Sequence, residues 1–129
     1  MDLKILRLLA IAWIPIVMAL VVVARLVDAS EGWPVFGSLL VSAIGLGALV
    51  GIAWLKQRPI TPADAGTYGT TVLMKLALVE GVGLLGFALA IAVGPWWLSA
   101  IGAALSLLGL RLAWPSPADR ERHELLYLI

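Results

Sequence analysis

Few residues of this 129-residue chain can do chemistry, and one of them stands where it is least expected. Glu80 lies in Lys75-Leu76-Ala77-Leu78-Val79-Glu80-Gly81-Val82-Gly83-Leu84-Leu85-Gly86-Phe87, an apolar run with no second acid. An ionised carboxylate at the centre of a membrane helix costs roughly 2.5–3.5 kcal/mol on insertion scales. Such a group is expected to carry a proton, bind a cation or meet a bonded partner. A carboxyl that loads and releases a proton has the chemistry a translocation site needs. Lys75, five residues earlier, projects about 140° away on a helix and is expected to snorkel to the nearer water interface. The candidate helpers for Glu80 are Ser42, Ser38 and Ser106, or the same face of an adjacent subunit. The plainer alternative is a protonated Glu80 acting as interhelical glue, worth about 0.6–2 kcal/mol.

The remaining chemistry is thin. Without cysteine there are no disulfides, thiolate metal sites or cysteine nucleophiles. The one histidine, His123, lies in the C-terminal tail, and Ser, His and acidic residues are not expected to converge. No metal, cofactor or enzymatic activity is therefore expected. Glycines cluster inside apolar runs, so no phosphate loop is indicated. A net charge of +1 supplies no basic field for nucleic acid.

The elements that must hold Glu80 follow from composition. The chain is 62% hydrophobic and 13% charged, with a mean hydropathy of +1.04. Soluble domains are nearer 45–50% apolar and about 25% charged. The expected class is an all-α polytopic membrane protein: one domain over 1–129, with four transmembrane helices in two antiparallel hairpins. Runs of about 20 residues are needed to cross some 30 Å of hydrocarbon. They fall at about 8–24, 35–55, 71–93 and 96–114, followed by a tail over 115–129 that forms a short cytoplasmic helix. Glu80 then sits about 3 Å along the axis from the middle of the third span. The first span is not read as a cleaved signal, because Val21 to Ser30 is a poor small-x-small cleavage site and three spans follow.

Basic residues set the orientation. Lys4, Arg7, Lys56, Arg58, Arg111, Arg120 and Arg122 fall on one side and Arg25 on the other. Both termini and the central loop are therefore expected in the cytoplasm, in the cell inner membrane. Trp33, Trp96 and Trp97 fall at the outer interface, Trp54 and Trp114 at the inner one, and Trp13 at membrane depth. Thr61-Pro62-Ala63-Asp64 and Ser116-Pro117-Ala118-Asp119 both read as helix starts, with a hydroxyl cap, proline in the first turn and an acid after it. Small residues mark close-packing faces: Ala43, Gly47 and Gly51; Gly83, Gly86, Ala90 and Gly94; Ser99, Gly102, Ala103, Ser106 and Gly109. The first span has no such face and carries Pro15, so a peripheral, gently kinked helix is expected.

Val79-Glu80-Gly81-Val82-Gly83-Leu84-Leu85-Gly86-Phe87-Ala88-Leu89 resembles the ion-binding helix of rotary ATPase proteolipids, the subunit c family. Arg58-Pro59 is similar to that family's Arg-x-Pro polar loop, without the intervening residue. Gly45, Gly47 and Gly51 are similar to its glycine-rich first helix. The likeness covers about residues 37–93. It implies that Glu80 is a reversible proton or sodium carboxylate and that Arg58 lies in a rotor-facing loop. Spans one and four are extra to the family's hairpin, and in four-span proteolipids the functional acid lies in an even-numbered helix. The leading expectation is a proton- or cation-binding protein in a proteolipid-like homo-oligomer. The alternative is a non-catalytic accessory or assembly subunit that meets other membrane subunits through its glycine faces and tail. A small four-helix transporter is third, although small multidrug transporters carry their acid in the first helix. The end of the tail, Leu125-Leu126-Tyr127-Leu128-Ile129, is expected to rest on the membrane or bundle, or to dock a partner.

Overall fold

Long apolar runs without period-two alternation satisfy their backbone most simply as helices. The computed structural model describes residues 2–27, 34–62 and 64–129, and these contain helices and no strand. The helices are α1 (Leu3–Val27), α2 (Pro34–Leu55), α3 (Ala65–Ala92), α4 (Trp97–Leu112) and α5 (Pro117–Leu128). The segment Asp28 to Trp33, with the tryptophan assigned to the outer interface, lies outside the described residues, as does Ala63. Three stretches are long and apolar enough to cross a membrane: α1, α2 and Gly66–Ala92 of α3. A fourth results only if α4 and α5, bent by 65°, count as one.

Side-chain register gives the helix directions. Ser106 bonds to the Val79 carbonyl while Gly102 meets Gly86, so α3 and α4 are antiparallel. Gly37 faces Leu98, Gly45 faces Leu105, and Gly109 faces Ile52, so α2 runs parallel to α4. The closest approach lies at Gly86 and Gly102, where a Cβ on either residue would stand 2.8 Å from the other's Cα. Only the missing side chains let these two backbones touch. The chain turns between α3 and α4 at Gly94, whose φ of 66° is readily reached only by glycine. The amides of Val93 and Gly94 both close onto the Leu89 carbonyl there.

Several expectations need revision. The α1–α2 hairpin is not a packed pair: α3 and α4 form the centre, and α1 and α2 each pack on both but scarcely on each other. The first helix is peripheral to the α3–α4 pair, as expected, but it is firmly seated there, since Leu6, Ala10, Trp13, Val17 and Ala24 form one buried stripe. It needs no small face of its own because Gly83 of α3 supplies one, with the Trp13 ring and Val17 seated over it. In α2 the inward face is Gly37, Val41, Gly45 and Ile52, which leaves Ala43 and Gly47 of the expected stripe exposed. The cap at Ser116 forms as expected, accepting from the Asp119 amide at 3.0 Å with Pro117 in the first turn. The cap of α3 is Asp64 instead of Thr61. Its carboxylate takes both the Thr67 amide (3.0 Å) and the Thr67 hydroxyl (2.6 Å), while the Thr61 carbonyl closes a tight turn onto the Asp64 amide. A carboxylate at a helix N-terminus accepts more strongly than a hydroxyl, and Thr67 stands at the matching spacing.

Candidate functional site

Glu80 sits half-buried on a flank of α3. Leu73, Leu84 and Ile91, at i−7, i+4 and i+11, share that flank and are 38%, 50% and 45% exposed. Among the described residues Glu80 has no hydrogen bond or ion pair. The three serines do not reach it. The Ser106 hydroxyl accepts from Trp13 Nε1 at 2.7 Å and donates to the Val79 carbonyl at 2.7 Å. Ser38 donates to the Pro34 carbonyl at 2.6 Å. Ser42 is half-buried and makes no hydrogen bond among the described residues.

The polar groups that do converge lie between α3 and α5. Lys75 does not snorkel: it is wholly buried, as is His123, and Asp119 is 6% exposed. His123 Nδ1 is 2.7 Å from the Arg58 carbonyl oxygen. A carbonyl can only accept, so Nδ1 carries the proton and Nε2 presents its lone pair. Lys75 Nζ donates to that Nε2 at 2.9 Å and reaches Asp119 Oδ2 at 3.4 Å. The Tyr68 hydroxyl donates to the same oxygen at 2.9 Å, and Arg122 holds Oδ1. The Tyr68 ring stands edge-on to the imidazole with centroids 5.9 Å apart. The Ile60 amide donates to the His123 carbonyl at 3.1 Å, so the loop after α2 is sewn to α5 through both side chain and backbone. Burial pushes the His123 imidazole below its ordinary value of 6.5, and the neighbouring Lys75 charge adds to this against the bond to Arg58.

This arrangement is a clamp. Its carboxylate is filled by donors, its imidazole is bonded at both nitrogens, and it fixes the short polar helix α5 across the end of α3. A substrate would have to displace these bonds to reach either group. The expectation that His and acidic residues stay apart is thus corrected, and the sequence did hold a signal. Tyr68, Thr71 and Lys75 fall at i, i+3 and i+7 on α3, while Asp119 and His123 fall at i and i+4 on α5. Two buriable polar stripes that cannot each be satisfied alone are candidates to face one another. No protein-family model, curated protein or solved structure matches this chain.

Proposed function

We propose that this is a four-span protein of the cell inner membrane that binds a proton or small cation at Glu80 within a homo-oligomer. On this reading α4, 16 residues and about 24 Å long, is a short fourth span by itself, both termini and the central loop lie in the cytoplasm, and α5 rests outside the hydrocarbon against the cytoplasmic end of the bundle. The observation that carries it is the outward flank occupied by Glu80, apolar along its length and without a bonding partner for the acid among the described residues. In a bilayer, neutralisation must come from outside the fold: a proton, a cation or a neighbouring subunit. From the proteolipid resemblance this reading keeps the reversible carboxylate alone, because α1 and α4 both pack on α3 and leave no bare two-helix hairpin.

A second reading, a non-catalytic accessory subunit, is favoured by the end of α5, where Leu125, Tyr127, Leu128 and Ile129 are all more than half exposed. Carbodiimide labelling of the purified protein across pH, with and without sodium, separates the two. Selective modification of Glu80 that sodium or rising pH suppresses, and that Glu80→Gln abolishes, supports ion binding. An unlabelled Glu80, with the assembly intact in Glu80→Gln, supports the accessory role.

A further inference from the structure

A second feature lies away from Glu80, at the end of the bundle where the basic residues gather. Two cavities, of about 380 and 340 Å³, run along the seam between the end of α2 and the first half of α3 and share Trp54, Leu55 and Met74. The second cavity, the more open of the two, is apolar, bounded by Gly51, Ala77 and Leu78. It is left open by Gly51, since a Cβ there would find nothing within 4 Å except Leu78 Cδ1 at 3.1 Å. The other cavity ends at Gln57, Arg58 and Pro59, and no carboxylate lines either one. The Arg58 guanidinium is anchored over this rim through Nη1 alone, which reaches Thr71 Oγ1 at 3.3 Å and Met74 Sδ at 3.7 Å. Its Nε and Nη2 donors have no partner among the described residues.

A surface groove that is apolar along one end and cationic at the other matches an amphiphile with an anion at one end. We propose that this groove is a binding site for an anionic phospholipid, its phosphate on Arg58 and an acyl chain along Gly51, Ala77 and Leu78. Basic pockets between membrane helices on the cytoplasmic side recognise such headgroups through the same charge-assisted bonds. The single cation over an apolar groove, with no carboxylate in the lining, fits one phosphate and its acyl chain. The inference shares the membrane reading with the proposed function and does not depend on Glu80.

Native mass spectrometry of the full-length protein, released from neutral detergent with equal phosphatidylglycerol and phosphatidylcholine of matched chains, tests it. Wild type is expected to retain phosphatidylglycerol about five- to tenfold over phosphatidylcholine, the range expected for one interfacial arginine. Arg58→Gln should abolish the preference, Arg58→Lys should keep most of it, and Arg25→Gln, beside Trp96 at the other end of the bundle, should leave it unchanged. Ala77→Trp and Gly51→Leu, which fill the apolar cavity, should lower retention of both lipids. The proposal falls if wild type shows no preference, if Arg58→Gln keeps it, or if both groove-filling variants retain lipid as wild type does. It also falls if those variants change the oligomeric mass with lipid binding unaltered, which would make the groove a contact between copies.

Discussion

Asp119 takes donors from Tyr68, Lys75 and Arg122, two of them on α3 and one on its own helix. Removing one partner of a buried ion pair typically costs about 3–5 kcal/mol, because the other charge is left without compensation. Asp119→Ala should therefore lower unfolding stability in mild detergent by about that amount. Arg120→Ala, which breaks the half-buried i,i+4 pair with Glu124 (3.2 Å) and the contact over the Tyr68 ring, should cost less, about 1 kcal/mol. His123 carries a pH dependence of determinate sign. Its folded value is held below 6.5, so as pH falls through about 6.5 the unfolded chain takes up a proton before the folded one. Stability contributed at neutral pH should drain away in the acid range just below 6.5, and thermal melts of His123→Gln should lack that step. The carboxyl Glu80 could be picked out from residue type alone, because an acid in a long apolar run has no ordinary explanation. The partners of Lys75 could not. Their contact depends on the 65° bend after α4, which brings the tail back over α3, and a polar residue near the end of a span reads equally well as snorkelling.

Among the elements, the α3–α4 crossing is the most constrained. At Gly86 an added side chain would meet the Cα of Gly102 at 2.8 Å and the Leu98 carbonyl oxygen at 3.1 Å, both backbone atoms that cannot swing aside. Gly86→Val should cost about 1–3 kcal/mol as the helices are forced apart. Gly47→Val, where nothing lies within 4 Å, should be close to neutral in the same unfolding assay. The small-residue runs of α3 and α4 announced this contact in the sequence, since backbone approach in lipid calls for such residues. The run in α2 misled, because Ala43-Gly47-Gly51 has the right spacing while Gly37 and Gly45, one face round, meet Leu98 and Leu105. Nor did α1 show its buried face. Its partner, Gly83, belongs to another helix, and the Trp13 bond to Ser106 joins residues 93 apart in the chain.

For the whole molecule, the absence of native cysteine gives a clean background for topology. Single substitutions Lys56→Cys and Glu121→Cys should react with an impermeant thiol reagent only from the cytoplasmic face, and Arg25→Cys only from the opposite one; the reverse pattern would overturn the orientation. Hydropathy and basic-residue asymmetry were enough to expect this frame, because both act locally along the chain. Which helices pack at the centre was not legible, since lipid-facing and buried apolar residues look alike in sequence. The decisive question concerns the carboxyl on the outer flank of α3. Infrared difference spectra of the protein in bilayers, recorded against Glu80→Gln, report it directly. A protonated-carboxyl band that belongs to Glu80 and responds to pH or sodium is expected, and spectra in which no band depends on Glu80 under any condition would contradict ion binding there.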